Sequence, residues 1–271
     1  MAYRIGLPHY ANTAPLVHFL EPPHGVELRF GVPTELNRWL AEGEVDLSLV
    51  SSRFYLEARG ALRALPDFSV AVLGAVYSVN LFHQKPWDAL ERIAVTAESA
   101  TSVRLLAHLL EQSGVRAEME PAPVGLEGLE TYDGVLLIGD RALTAYAGLL
   151  EHTPASVHDL PRRPGGYRVT DLAMRWFRET RLPFVFALWA TRSGEQPPPE
   201  VVALLRRARR TGLGRLGEVA AAESERLGVP APLLQHYLWN FRYHLEAPDR
   251  LGLAAFAEAL GFTGPEEYWS V

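Results

Sequence analysis

GVPTELNRWLAEGEVDLSLVSS, residues 31–52, decides the fold class. Pro33–Glu42 reads as a helix, because Pro33 suits a first turn and Leu36, Trp39 and Leu40 recur on one face. Gly43 stands where a helix closes in a left-handed residue. Val45–Val50 follows as a short buried strand, and Ser51-Ser52 ends it in a polar turn. A helix feeding a buried strand is the repeating unit of an α/β protein.

The same alternation extends in both directions. Upstream, Tyr3–Leu7 is a strand, Thr13–Leu20 a helix with Pro15 in its first turn, and Val26–Gly31 a second strand. Downstream, Val70–Val76 and Ser78–Phe82 form one apolar stretch broken by Gly74 and Ser78. A second unit then begins. Arg92–Thr96 is a strand, Ser99–Glu111 a helix with Val103, Leu106, Leu109 and Leu110 apolar, and Gly134–Ile138 another strand. A helix is expected from Arg141 to about Leu149, a loop over 153–166, a helix over Asp171–Thr180 and a returning strand over Pro183–Ala190. Gln196–Pro199 is a proline-rich break, after which the chain reads as mostly helical.

These elements imply two α/β lobes. Residues 1–77 with 190–271 form the first, holding both termini, and residues 78–189 form the inserted second lobe. The crossings are expected near Val76–Asn80 and Leu188–Thr191. A cleft between lobes favours a ligand site and permits hinge closure.

Composition narrows the chemistry. Among 271 residues there is no cysteine, which excludes thiolate nucleophiles, disulfides and cysteine-held metals. A net charge of −6 without a basic stripe argues against a nucleic-acid partner. Lys85 is the only lysine and no glycine-rich loop precedes it, so P-loop and Schiff-base chemistry are not expected. No apolar run reaches the roughly 18 residues of a membrane span, and MAYRIGLPHYANTAPL has no signal-peptide pattern, so the expected location is cytoplasmic. His152 and His158 flank a proline loop without zinc spacing, and no metal site is expected.

Small polar residues gather instead at strand-to-helix turns: Tyr10-Ala11-Asn12-Thr13, Ser51-Ser52, Ser99-Ala100-Thr101-Ser102 and Gly139-Asp140. In open α/β sheets ligands bind at the carboxyl ends of strands, and helix N-termini present free N–H groups to anions. Ser, Thr, Asn and Asp are also the ordinary N-cap residues, so any one cluster taken alone reads first as a cap, and it is four clusters at equivalent turns that point to a site. Phe54-Tyr55, Trp87 and Phe184-Val185-Phe186 read as pocket lining or as core, and Arg53 and Arg104 as carboxylate partners or solvated charges. His9 lies just after the first strand, near the expected cleft.

Six segments together carry a family resemblance. They are RIGLPHYANTAPL (4–16), GVPTELNRWLAEGEVDLSLVSSRFY (31–55), LPDFSVAVLGAVYSVNLFHQKP (65–86), VTAESATSVRLL (95–106), GVLLIGDRAL (134–143) and LPFVFALWATR (182–192). In this order and spacing the chain resembles the chorismate dehydratases (MqnA) of the futalosine route to menaquinone. The resemblance implies a type II periplasmic-binding-protein fold used as a cytoplasmic, cofactor-free carbon–oxygen lyase (a hydro-lyase). The implied reaction converts chorismate to 3-[(1-carboxyvinyl)oxy]benzoate and water, with the substrate's own carboxylate taking the proton. On matching positions it implies Asn12 and Ser78 as catalytic. Ser51 and Ser52 would hold one carboxylate, and Ser99, Thr101 and Ser102 the other. Ile138, Gly139 and Asp140 would form the opposite wall, with Asp140 orienting rather than acting as base. The Pro8-His9 pair departs from the family's pattern and leaves the role of His9 open. Two alternatives remain: a binding module for a small carboxylate, and the sister enzyme 1,4-dihydroxy-6-naphthoate synthase, whose cleft histidine has no counterpart at Gly139-Asp140.

Overall fold

A computed structural model describes residues 2–123, 125–150, 166–262 and 268. It opens with β1 (Tyr3–Leu7), a 3-10 turn (Ala11–Thr13), α1 (Ala14–Val17), β2 (Val26–Phe30), α2 (Pro33–Glu42), β3 (Leu47–Ser51) and α3 (Ser52–Glu57). β4 (Leu62–Ala64), β5 (Val70–Val72), β6 (Val79–His83), β7 (Arg92–Val95), α4 (Ala100–Gln112), β8 (Glu118–Pro121), β9 (Gly134–Ile138) and α5 (Gly139–Gly148) follow. The remainder is β10 (Arg168–Asp171), α6 (Leu172–Thr180), β11 (Phe184–Arg192), α7 (Pro199–Gly214), α8 (Leu216–Leu227), α9 (Ala231–Trp239), β12 (Phe241–Arg242) and α10 (Ala247–Ala259).

Among the described residues two sheets form, ordered β12-β5-β11-β3-β1-β2, with β4 also on β11, and β10-β6-β9-β7-β8. The first carries the N-terminal βα units: β1 pairs in parallel with β2 and β3, and β3 is buried along its whole length. α2 covers it with Leu36, Trp39 and Leu40, and stops at Gly43, whose φ of 76° a side chain would resist. In the second sheet β9 runs parallel to β7 and antiparallel to β6. The helical tail belongs with the first sheet, since β12 pairs Phe241 with Val72.

Three sequence expectations are corrected. The second crossing is not at 188–191. β11 lies wholly in the first sheet, with Phe184 opposite Val72 and Ala190 opposite Ser48, so the chain returns at 181–183, where Arg181 takes a φ of 62°. An apolar strand hides such a boundary, because the cores of both lobes ask for the same residues. The helix expected over Thr13–Leu20 is a 3-10 turn plus the four-residue α1, with Pro22-Pro23 just beyond it. The helix expected from Arg141 starts two residues earlier: β9 ends at Ile138 as read, and Gly139 and Asp140 are already the first residues of α5. β4, β8 and β10 went unread, being short and partly polar with distant partners. Nearly all of the loop expected over 153–166, together with His152 and His158, lies outside the described residues.

The first crossing runs from β5 to β6 through residues 73–78, with Gly74 at φ 101° and Tyr77 at φ 58°. Such a backbone at a tyrosine needs support. Asp171 supplies it: one carboxyl oxygen accepts from the N–H groups of Val76 and Tyr77, at 2.8 and 2.7 Å, while the other caps α6 through Met174 N–H.

Candidate active site

A cleft of about 610 Å³, counting the space at its mouth, opens between the two sheets. The first lobe lines it with Pro8, Tyr10, Asn12, Thr13, Pro33, Leu49, Ser51, Val70, Phe186 and Ala187, the crossing with Val76 and Ser78, and the second lobe with Val79, Ser99, Thr101, Ser102, Ile138 and Gly139. Strand ends meet here because Val79 stands opposite Ile138, and Ala187 opposite Ser51. A register shift between Val185 and Ala187 releases Phe186 from the ladder beside the site, a common use of a bulge. The lining side chains are apolar, hydroxyl or amide groups.

The hydroxyls share a pattern. Ser51 Oγ accepts from Asn37 Nδ2 at 3.1 Å, and Ser51 N–H donates to Asn37 Oδ1 at 3.2 Å. Ser78 Oγ accepts from Tyr237 at 2.9 Å, Thr101 Oγ1 accepts from Arg53 N–H at 3.1 Å, and Ser102 Oγ accepts from Ser99 Oγ at 3.0 Å. Each of the four oxygens already has a donor, which leaves its own proton for an acceptor in the cleft. Ser99 also caps α4 by accepting from Ser102 N–H at 3.2 Å, so the first turn of that helix faces the same space. Such a surface suits an anion held without a paired cation.

Asn12 is the complementary group: its Oδ1 is buried with no partner, and its main-chain carbonyl is fixed by the Tyr243 hydroxyl at 2.8 Å. Tyr10 borders the cleft with its phenol pushed above the ordinary range, first by burial and then by nearby Glu98. Gly139 lies against the Tyr10 ring: a Cβ there would come within 3.0 Å of it, on a φ of 57°.

Two of the residues expected in the site lie outside the lining. Ser52, the first residue of α3, is fully buried and its Oγ has no partner. Asp140 accepts from Ala11 N–H at 2.8 Å and pairs with Arg226 at 2.7 Å, so it fixes the Asn12 turn from the second lobe and from α8. His9 is exposed and edge-on to Phe30. Arg53 pairs with Glu57 and Arg104 is exposed on α4. Tyr55 and Phe184 are core, and Trp87 lies under Arg175. Asn37 and Tyr237 were missed. Their only sequence signal is a polar group on an otherwise apolar helix face.

Residues 3–261 match the protein family described as menaquinone biosynthesis. The chain is 61% identical over 259 residues to the chorismate dehydratase of Thermus thermophilus, over 96% of this chain and 95% of that one. Among solved structures it resembles a protein of Archaeoglobus fulgidus, with a TM-score of 0.71 at 18% identity over 95% of this chain and 96% of that chain. It also resembles the aliphatic sulphonate binding protein SsuA of Escherichia coli, with a TM-score of 0.63 at 17% identity over 96% and 91% of the two chains. Likenesses of this kind show the fold, which is the two-lobed periplasmic-binding-protein architecture.

Proposed function

The chain belongs to the menaquinone-biosynthesis family, and from that premise we propose a hydro-lyase that takes water out of chorismate, giving 3-[(1-carboxyvinyl)oxy]benzoate. It is a chorismate dehydratase. What supports the detailed reading is the cleft: hydroxyls with their protons left for an acceptor face a buried, unpartnered amide oxygen, between two lobes that can enclose a small molecule.

Chorismate has two carboxylates, an enol ether at ring C3 and a hydroxyl at ring C4. The C3 proton is acidic because the ring double bonds relay charge to the ring carboxylate. Loss of that proton and of the C4 oxygen makes the ring aromatic, which drives the reaction. The protein's task is to orient the substrate and stabilise charge as it develops. In this reading Thr101 and Ser102, the latter set by Ser99 and both backed by the first turn of α4, hold one carboxylate, and Ser51 the other. Asn12 Oδ1 accepts from the C4 hydroxyl, Ser78 donates to the same oxygen as its bond to carbon breaks, and Ile138 and Gly139 close the opposite wall. The lining groups are neutral, so the proton goes to the substrate's own side-chain carboxylate and from there to the departing C4 oxygen, which leaves as water and restores the carboxylate. The reading includes a cytoplasmic enzyme that works without a cofactor.

Incubation of purified protein with chorismate, followed by chromatography with mass detection, tests this. A product lighter by one water, formed catalytically and unaffected by EDTA, is the expected result. Chorismate left intact while protecting the protein against heat would instead mean a binding module.

A further inference from the structure

Tyr237 lies on α9, far along the chain from the cleft residues, and is buried with its hydroxyl 2.9 Å from Ser78 Oγ. Its surroundings decide which group donates. Ser78 Oγ is the polar partner found for this phenol among the described residues. If the phenol accepted from Ser78, its own O–H would be left buried and unpaired, which is costly. Tyr237 therefore donates. Burial pushes the phenol far above its ordinary range, so it stays protonated at any working pH. Ser78 is itself fully buried, and its backbone is fixed by Gly139 N–H donating to its carbonyl at 2.7 Å. With one lone pair of Oγ occupied, its proton is left for the cleft it lines, and a hydroxyl that accepts one hydrogen bond donates the next more strongly.

We propose that Tyr237 is a positioning residue of the dehydration, turning Ser78 into a fixed, strengthened donor toward the oxygen that leaves ring C4. This rests on the dehydratase reading above. The balance is unchanged by it: the C3 proton goes to the substrate carboxylate, the C3–H electrons enter the ring, the C4–O pair leaves on oxygen, that oxygen takes the carried proton and departs as water, and Ser78 contributes a hydrogen bond rather than a proton.

Tyr237→Phe removes one oxygen and keeps the ring. With chorismate, kcat should fall about tenfold while KM stays within about twofold, the signature of an interaction made in the transition state. Ser78→Ala should lose at least as much rate and, by orphaning the buried phenol, lower the thermal midpoint by about 2–4 °C. Adding Tyr237→Phe to Ser78→Ala should restore the midpoint and cost no further rate. A Tyr237→Phe enzyme with normal kcat, a loss confined to KM, or rate losses that multiply in the double variant would each overturn the assignment. Should Tyr237→Phe fail to fold, Ser78→Ala alone decides, because an unchanged midpoint would mean that the phenol does not depend on Ser78. Wild-type protein inert toward chorismate removes the dehydratase reading and this assignment with it, whereas active wild type with an unimpaired Tyr237→Phe removes only the assignment.

Discussion

Asn12 has a buried amide oxygen that nothing in the protein satisfies. An unpaired buried acceptor costs about 1–3 kcal/mol, which a folded protein tolerates where a ligand supplies the missing donor. The substrate hydroxyl is such a donor. Asn12→Ala should therefore lower kcat at least about tenfold while leaving the thermal midpoint unchanged or slightly raised. Near-normal turnover would remove Asn12 from the reaction. Ser51 differs from it in kind, because Asn37 grips both its hydroxyl and its amide, which makes it a preset donor rather than a waiting acceptor.

At the scale of elements, α4 presents its first turn to the cleft with Ser99 as cap. Replacing Ser99 and Thr101 together by alanine should raise KM for chorismate several-fold with a smaller change in kcat, and cost about 1 kcal/mol of stability through the lost cap. An unchanged KM would reduce this helix end to a structural cap. Asp171 couples the first crossing to α6, and burial of its carboxyl raises its pKa from the ordinary 3.8 to about 6, against the opposing pull of the backbone N–H groups it accepts from. Between those two values the folded state binds more protons at this site than the unfolded chain. Its contribution to stability therefore falls as pH rises through that window and is flat above it. Urea unfolding from pH 4 to 7 should show wild type losing stability relative to Asp171→Asn across the window. A pH-independent difference between the two would contradict the shift.

For the molecule as a whole, contacts across the cleft hold the lobes together. Ala11 N–H donates to Asp140 at 2.8 Å, Arg226 pairs with the same carboxylate at 2.7 Å, Arg53 N–H donates to Thr101, and the Tyr10 hydroxyl reaches Glu98 at 3.4 Å. Asp140→Ala should loosen closure, raising KM between about threefold and tenfold with a lesser effect on kcat, and should enlarge the radius of gyration of the substrate-free protein in X-ray scattering. An unaltered KM and radius would mean that closure does not depend on this carboxylate.

Periodicity made the fold class legible. The buried stripe of α2, the apolar β3 and the glycine between them are local signals, since a helix or strand declares its inward face within a dozen residues. The turn residues Asn12, Ser51, Ser99, Thr101 and Ser102 were legible for a related reason, because strand-to-helix turns collect polar groups that the fold then gathers at one end of its sheets. What sequence could not carry was pairing at a distance. Asn37 meets Ser51 across 14 positions, Asp171 meets Val76 across 95, and Tyr237 meets Ser78 across 159. The return of the chain before Phe184 was hidden likewise, since an apolar strand satisfies either lobe. Local pattern determined which segments are buried and which turns are polar. Only the tertiary structure decided which hydroxyls are held as donors, because a hydroxyl's direction is set by whichever group is already bonded to its oxygen, and that group comes from elsewhere in the chain.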